Sequence, residues 1–276
     1  MADVIKRLMR TPQGSLGTLL LLAAFAVAAF GPFIAPYSPE QFHITDRFQG
    51  PSAQYWLGTD QFGRDLLSRI LIGARPTVIL AVVATLLGSI IGAVIGTLSA
   101  FLGGRADEVI MRILDAIMAI PSLLFALLIV TALGANAANA LIAIGIAFAP
   151  GMARITRSVA LAVRKQDYVN AAVARGESSS FIVLREMLPN VIAPIIVEAT
   201  IRVAFAVMTL ATLSFLGLGA QPPSSEWGLM VAEAREYLFR NPWMMIWPGL
   251  SIAVVAIGFN LFGDGLRDAL NPRTRT

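Results

Sequence analysis

The sequence has no cysteine, and its single histidine is His43. Thiol catalysis, disulfide frameworks and the Cys/His ligand sets of zinc and haem sites therefore have almost no candidate residues. Charged residues are also few, at 14% of 276, whereas 57% of the residues are hydrophobic. A soluble globule of this size needs more polar side chains to cover its surface. These scarcities predict a protein whose main solvent is the lipid bilayer.

Motifs for ATP hydrolysis and catalysis are missing as well. No Gly-x-x-x-x-Gly-Lys-Ser/Thr loop occurs, so we do not expect this chain to bind and hydrolyse ATP by that route. His43 lies in a polar segment, where a solvated side chain is favoured over a metal ligand or a general base. We therefore expect no catalytic residue, no metal site and no cofactor in this chain. The net charge of +4 indicates membrane topology rather than nucleic-acid binding.

Six apolar runs approach the length of about 20 residues that a helix needs to cross a bilayer. They are Leu16–Ile34, Val78–Leu102, Ile117–Leu133, Ala140–Ile155, Val191–Leu216 and Met245–Phe262. The fourth run contains Pro150 and Gly151, which a kinked helix packed among neighbours tolerates. The sequence thus predicts an all-α, polytopic membrane protein with about six transmembrane helices. We expect a single domain over 1–276, with an N-terminal helix in 1–36 and the core helices in 77–270.

The first apolar run has an alternative interpretation as a cleavable signal peptide, because basic residues precede it and Ala26-Val27-Ala28 lies within it. The run is long for a signal core, and five further spans would keep the protein in the membrane. Pro32, Pro36 and Pro39 are instead typical of the exit from a first helix.

Basic residues are distributed unevenly between the two predicted sides of the membrane. Fourteen share the side of both termini: Lys6, Arg7, Arg10, Arg105, Arg112, Arg154, Arg157, Arg164, Lys165, Arg175, Arg185, Arg267, Arg273 and Arg275. Six lie on the other side: Arg47, Arg64, Arg69, Arg75, Arg235 and Arg240. Trp56, Trp227, Trp243 and Trp247 also fall on or at the edge of that second side, as an interfacial aromatic belt requires. Both signals predict cytoplasmic N- and C-termini.

The longest cytoplasmic loop, residues 156–190, carries a short predicted helix. Asp167 is suited to cap its start, the alanines favour helix, and Gly176 is suited to end it. The small side chains would let another protein pack closely against this helix. A solvated linker helix is an equally good interpretation from composition alone.

Within this loop, Ala171, Ala172, Gly176 and the pair Leu188-Pro189 resemble the Glu-Ala-Ala loop of membrane subunits in bacterial ATP-binding-cassette importers. The resemblance implies that the short helix enters a cleft in an ATPase subunit and transmits its motion to the pore. Asn170 stands where the family usually has glutamate, and its neutral side chain retains the ability to cap or to hydrogen-bond. The ATPase-coupling candidates are Asp167, Tyr168, Asn170, Ala171, Ala172, Arg175, Gly176, Leu188 and Pro189.

Three further stretches resemble the dipeptide, oligopeptide and nickel permease class. They are Trp56 to Asp65, Ser214 to Gly219 with Pro222-Pro223, and Asn260 to Asp268. The resemblance is strongest to the second-position membrane subunit, and it implies the type I permease fold of these importers. It also implies a heterodimer with a second permease, two ATPase subunits that bind ATP and Mg, and an extracytoplasmic substrate-binding protein. The expected location is the bacterial inner membrane.

Short peptides are the first cargo that this resemblance implies, and a nickel chelate is the second. An ion-coupled secondary transporter is the alternative from another class. It would need intramembrane acids and usually internal repeats, but Glu198 is the one clear acid and no repeat is visible. An intramembrane enzyme is a further alternative, and the sequence offers no nucleophile with a base for it.

The same stretches permit local structural predictions. An amphipathic helix is expected after Thr59-Asp60, either on the outer membrane surface or lining a vestibule. The residues that mark it are Trp56, Gly58, Thr59, Asp60, Gly63, Arg64 and Asp65, followed by Phe62, Leu66, Leu67, Ile70 and Leu71 on its apolar face. An outer helix is expected over Glu226 to Phe239 with exposed Glu233, Arg235 and Glu236. Gly263-Asp264-Gly265 is expected to close the sixth span, where close packing is the favoured role of this stretch.

Glu198 and Arg202 are charged residues inside the fifth predicted span, where charges are costly. Their i, i+4 spacing, with glutamate first, suits a buried helical ion pair. Side chains that line the pore are the alternative. Small residues from Ala204 to Thr212 allow either close helix packing or a passage, so both interpretations stay open here.

Overall fold

A computed structural model describes residues 2–270, and in that range it contains helices and no β-strand. The helices are α1 (Ala2–Leu8), α2 (Pro12–Ile34), α3 (Leu66–Leu102), α4 (Gly104–Met118), α5 (Ser122–Leu133), α6 (Ala137–Arg164), α7 (Asp167–Ala174), α8 (Ser179–Phe181), α9 (Leu188–Phe215), α10 (Trp227–Ala234) and α11 (Trp243–Leu270). Short 3-10 turns cover Ile44–Asp46 and Arg235–Tyr237, and a π-helical segment covers Ile182–Met187. Arg273 and Arg275, counted above among the cytoplasmic charges, lie outside the described residues.

The all-α prediction is confirmed for this part of the chain. Five helical segments are long and apolar enough to cross a membrane: Pro12–Ile34, Leu66–Leu102, Ala137–Arg164, Ser179–Phe215 and Trp243–Leu270. The fourth predicted span is continuous through Pro150, as expected of a helix packed among neighbours. Within residues 2–270, a sixth span is obtained only if α4 and α5 are counted together.

The third predicted span, Ile117–Leu133, was wrong as a straight helix. The chain breaks between α4 and α5 and bends by 85°. Pro121 explains the break, because proline lacks a backbone N–H and disfavours helical backbone in the residue before it. The 12 residues of α5 cover about 18 Å, short of the ~30 Å hydrocarbon core. The bend therefore leaves a recess that neighbouring helices line.

The second predicted span was too short, because α3 runs without interruption from Leu66 to Leu102. The residues expected to form a separate amphipathic helix are its first turns. Pro76 lies inside α3 and removes one hydrogen bond, which a helix buried among others tolerates. With 37 residues, α3 is about 55 Å long and extends well beyond the hydrocarbon core.

Small residues hold α3 and α6 together at the centre of the fold. A side chain on Gly92 would lie 2.6 Å from Cβ of Met152, and one on Gly96 would lie 2.3 Å from the carbonyl oxygen of Ala153. Backbones that approach this closely gain van der Waals contact without bulky side chains, which is the usual basis of helix association in membranes. This tight pair forms the frame on which the other helices pack.

The helix does not end at Gly263-Asp264-Gly265 as expected, since α11 continues to Leu270. The two glycines permit close packing, the role favoured for them from the sequence. A Cβ on Gly265 would lie 2.5 Å from Cα of Gly14, and one on Gly263 would lie 2.6 Å from the Ile201 side chain. Glycine at these sites lets α11 approach the N-terminal helix on one side and α9 on another.

Candidate functional site

The short helix predicted in the long loop is present as α7, Asp167–Ala174. Its N-cap position is Gln166, one residue earlier than expected, and Asp167 occupies the first turn, where a negative charge favours the helix dipole. Gly176 follows the helix with a φ of 74°, a left-handed backbone that glycine adopts without strain. The chain therefore leaves α7 through a turn that needs glycine.

The two faces of α7 have different surroundings. Val169 and Ala172 are fully buried in a cluster that includes Ile182 and Met187. Ala172 is therefore a packing residue of this chain and not part of its surface. The opposite face is exposed, and the coupling candidates on it are Tyr168, Asn170 and Ala171. This face, together with Val173 at 54% exposure, is called the α7 face below.

The remaining coupling candidates surround α7 without forming a tight site. Leu188 is half-buried and Pro189 exposed in the first turn of α9, next to the π-helical segment. Arg175 lies 3.6 Å from Glu177 and 3.9 Å from Glu186, and its side chain is 56% exposed. Exposed ion pairs of this kind contribute about 0–1 kcal/mol. Arg175 is thus available for a stronger contact with another protein.

A cavity of about 400 Å³ lies where the bend between α4 and α5 faces α6 and α9. Its walls are largely apolar, with Phe125, Phe148 and Phe205 among the lining residues. Glu198 and Arg202 also line it. A second cavity of about 410 Å³ lies between α9 and the end of α11, and Glu198 lines this cavity as well. Glu198 therefore stands at the boundary between the two.

Glu198 and Arg202 form the ion pair that their spacing predicted, with 3.1 Å between Oε1 and Nε. Both side chains remain about one-fifth exposed, at 21% and 20%. The guanidinium also lies 5.8 Å from the centre of the Phe148 ring, within cation–π range. The ion pair is therefore present and lines a cavity of this chain, and the interpretation that its side chains line the pore stays a prediction.

Before the N-terminal end of α3, the motif from Trp56 to Asp65 forms a folded loop. The amphipathic helix predicted after Thr59-Asp60 begins only at Leu66, as the first turns of α3. Asp65 is the N-cap of α3 and accepts a hydrogen bond from the backbone N–H of Ser68 at 2.8 Å. Gly63 has a φ of 75°, and a Cβ there would collide with the carbonyl oxygen of His43. The loop is therefore held closed by backbone contacts that leave no room for a side chain.

Most other residues of this motif are also buried, whereas Trp56 is 70% and Phe62 39% exposed. Gly58 has a φ of 85° and would place a Cβ 2.5 Å from the carbonyl oxygen of Gln49. The Thr59 hydroxyl donates a short hydrogen bond to the carbonyl of Asp46. His43 is half-buried beside the paired rings of Tyr37 and Tyr55 rather than solvated as expected.

Four charges join this loop to α10. Asp60, 1% exposed, accepts from Arg64 and from Arg69, the latter at 2.9 Å. Glu233 lies 2.9 Å from Arg64 and 3.0 Å from Arg69. The two positive and two negative charges balance, which such buried groups require. The prediction that Glu233 is exposed was wrong, because its side chain is only 16% exposed, whereas Arg235 and Glu236 are exposed as expected.

Glu226, fully buried, caps the start of α10 by accepting from the backbone N–H groups of Gly228 and Leu229, both at 2.9 Å. Burial raises the pKa of this carboxyl, and the two backbone hydrogen bonds act in the opposite direction. The Trp227 indole donates to the carbonyl of Ile70 at 3.0 Å. The predicted outer helix is therefore shorter than Glu226–Phe239 and is fixed to α3.

Near the C-terminal end of α3, Asp107 binds α4 to α6. Both of its oxygens accept from Arg157, one at 2.6 Å, and Ser99 donates to it at 2.5 Å. Arg164, the last residue of α6, donates to the carbonyl of Ala100 at 2.8 Å. These contacts fix the end of α6 from which α7 follows.

The sequence missed the partners in these polar clusters. The i, i+4 spacing of Asp60 and Arg64 was a visible signal. Glu233, however, is separated from Arg69 by 164 residues and from Arg64 by 169. Only the fold brings such residues together.

Comparison with known proteins identifies this arrangement. Residues 90–276 match the family described as binding-protein-dependent transport system inner membrane component. The chain belongs to this permease family. Residues 1–51 of the permease also match the N-terminal transmembrane domain of oligopeptide transport permease C. It is a transport subunit of an ATP-binding-cassette importer that works with other subunits in the bacterial inner membrane, and not an enzyme.

Curated relatives cover almost the whole permease. It is 40% identical over 272 residues to the probable D,D-dipeptide transport system permease protein DdpC of Escherichia coli (strain K12), covering 99% of this chain and 91% of that protein. It is 39% identical over 274 residues to the dipeptide transport system permease protein DppC of Alkalihalophilus pseudofirmus, covering 99% and 90%. The glutathione transport system permease protein GsiD of Escherichia coli O6:K15:H31 is 39% identical over 271 residues, with 98% and 89% covered. The predicted resemblance to the peptide permease class is confirmed.

A solved structure supports the fold. A chain of the MetNI methionine ABC transporter in inward-facing conformations matches with a TM-score of 0.58 and 18% identity, covering 74% of the permease and 97% of that chain. The permease therefore has an importer permease fold.

Proposed function

We propose that this permease lines one half of the transport path of an importer for di- or oligopeptides. A second, related permease supplies the other half. The proposal is supported by similarity along almost the whole chain to relatives whose names specify dipeptides and glutathione, itself a short peptide. The half-length helix α5 and the recess beside it are consistent with a wall completed by another subunit.

In this proposal both termini and α7 lie in the cytoplasm, and the charged cluster of Asp60, Arg64, Arg69 and Glu233 lies outside. The distribution of basic residues supports this orientation. A substrate-binding protein delivers the peptide to the outer side. The cargo then passes along the recess beside α5.

Energy comes from two partner ATPases, which bind ATP and Mg. The α7 face of Tyr168, Asn170, Ala171 and Val173 inserts into one of them. Closure of the ATPase pair on ATP binding moves α7, and the buried contacts of Val169 and Ala172 pass this motion to α9. The path then changes from inward-open to outward-open.

The observation that carries the proposal is α7 itself, which has one face packed in this chain and one face left open. The first experiment tags the C-terminus, extracts the protein gently and identifies co-purifying proteins by mass spectrometry. Recovery of a second permease and ATPases supports the assembly. Recovery of this chain alone, still transporting, would instead show a secondary transporter.

The cargo is tested with the purified assembly in proteoliposomes that contain ATP and the binding protein. We expect ATP-dependent uptake of dipeptides from a mixture, and mass spectrometry of the vesicle contents measures it. Uptake of a nickel chelate without any peptide would overturn the peptide assignment and leave the role of the chain in the importer intact.

A further inference from the structure

Glu198 faces a different arginine with each carboxylate oxygen. Its Oε1 lies 3.1 Å from Nε of Arg202 in α9, and its Oε2 lies 4.0 Å from Nη2 of Arg267 in α11. Arg202 lines the first cavity, Arg267 lines the second, and Glu198 lines both. The three side chains thus form a charged cluster at the junction of two cavities.

The contacts inside this cluster lack the directed hydrogen bonds seen in another ion pair of this protein. Nε of Arg202 is buried and, among residues 2–270, has no well-directed hydrogen-bond acceptor despite its short distance to Glu198. The Asp107–Arg157 pair of the same protein shows the contrast, because there both carboxylate oxygens accept directed hydrogen bonds. An arginine whose Nε lacks such a bond is not fully used by its ion pair and has donors available for another acceptor.

The surroundings leave space for that acceptor at Arg202. A side chain on Gly151 would place its Cβ 3.0 Å from Nη2 of Arg202, so glycine at the centre of α6 makes room for the guanidinium. Phe148 lies against the same group, and Phe125 and Phe205 line the cavity. Apolar walls strengthen the attraction between a fixed charge and a charged ligand.

A peptide in water carries an ammonium group at one end and a carboxylate at the other. We propose that Glu198, Arg202 and Arg267 form a contact site for these charged groups on the cargo, an inference that rests on the proposed peptide transport. Arg202 binds a carboxylate in the first cavity, where its planar donors suit two oxygens. Glu198 binds the ammonium, and Arg267 is the partner of Glu198 when cargo occupies Arg202.

The cluster has two positive charges and one negative charge, so it discriminates among peptides by their net charge. Arg202→Gln removes the excess positive charge, and Glu198→Gln increases it. The two variants are therefore expected to change selectivity in opposite directions. Loss of a structural ion pair would instead lower the uptake of all peptides alike.

The test uses the complete importer in proteoliposomes with its binding protein and an equimolar mixture of Ala-Asp, Ala-Ala and Ala-Lys. Initial uptake rates are measured by mass spectrometry. We expect the ratio of Ala-Asp to Ala-Lys uptake to fall about three- to tenfold in Arg202→Gln and to rise by a similar factor in Glu198→Gln. The matched control is Arg154→Gln, which breaks the exposed ion pair with Asp115 and leaves the ratio unchanged.

An unchanged ratio in both cluster variants would overturn the inference while the wild type still takes up peptides. If Arg202→Gln does not assemble, Arg267→Gln gives the same information, because its side chain is 57% exposed and its loss also lowers the positive charge. A fall in the ratio for that variant supports the site, and no change rejects it. Failure of the wild type to transport any peptide would refute the proposed cargo instead.

Discussion

At the level of single residues, Gly176 combines a left-handed backbone with a position directly after α7. No heavy atom of residues 2–270 beyond the adjoining chain lies within 4 Å of the site of a Cβ at this residue, so a substitution meets backbone strain and no steric clash there. Such strain costs about 1–2 kcal/mol per residue outside glycine. A larger, charged side chain at Gly176 therefore affects the backbone of the turn and any protein that binds beside α7.

We predict that Gly176→Asp abolishes peptide uptake while the protein stays in the membrane, because the new charge and the altered turn disturb the α7 face. Uptake in vesicles and immunoblotting of membranes measure the two outcomes. Gly104→Asp is the matched control, since Gly104 also has a positive φ, of 54°, and open space around it. Undiminished uptake in Gly176→Asp would contradict the coupling role.

The cluster of Asp60, Arg64, Arg69 and Glu233 permits a prediction about stability. Asp60→Asn leaves two buried guanidinium groups with a single carboxylate, which costs about 3–5 kcal/mol for a broken buried pair. We expect the Tm of the purified complex, measured by tryptophan fluorescence, to be lower in Asp60→Asn than in the wild type. Glu233→Gln is expected to lower the Tm less, because that side chain is more exposed. Equal Tm values for Asp60→Asn and the wild type would show that the cluster does not stabilise the loop.

At the level of helices, α7 offers neighbouring alanines in opposite environments. Ala172 is 0% exposed, whereas Ala171 is exposed. We predict that Ala172→Trp overpacks the cluster around Met187 and lowers the amount of folded protein, at a cost of about 1–3 kcal/mol. Ala171→Trp is expected to leave the amount unchanged but to reduce uptake and the ATPase that co-purifies.

Membrane protein levels, uptake and recovered ATPase separate these outcomes. If only the Ala172→Trp variant fails to co-purify the ATPase, and its protein level is normal, then the ATPase contact lies on the face of α7 that carries Ala172 and not on the α7 face.

The sequence predicted the existence of most long helices but not their bends or full lengths. Apolar run length identified α2, α6, α9 and α11, because burial in lipid requires such runs. It did not give helix direction, so the 85° bend before Ser122 and the continuity of α3 through Pro76 were missed. Proline has opposite outcomes at these two sites, depending on whether neighbouring helices support the backbone.

For the functional residues too, the sequence predicted local features and missed contacts between distant segments. Local spacing was enough to predict α7 and the Glu198–Arg202 pair. The inward orientation of Ala172 and the contact of Glu233 with Arg69 depend on packing between segments distant in sequence, which composition and periodicity do not specify.

At the level of the whole molecule, the lack of cysteine makes the predicted orientation directly testable. Single cysteines at Gln54 and Asn170, both exposed in the structure, place one thiol at each end of the molecule. We predict that a membrane-impermeant maleimide labels Gln54→Cys in intact spheroplasts. It labels Asn170→Cys only in inverted vesicles from cells without the partner ATPases, which would otherwise cover the α7 face. The wild-type chain is the unlabelled control. The reverse pattern would invert the topology and remove α7 from the cytoplasm.

Helix α3 joins the two ends of the protein mechanically. Arg69, near its first turn, is bonded into the charged cluster, and Ala100, near its last turn, is bonded to Arg164 just before α7. A stiff rod of about 55 Å acts as a lever, and a tilt of about 10° at one end displaces the other by about 10 Å. An antibody fragment that clamps the loop around Asp60 would therefore be expected to stall ATP hydrolysis on the opposite side of the membrane.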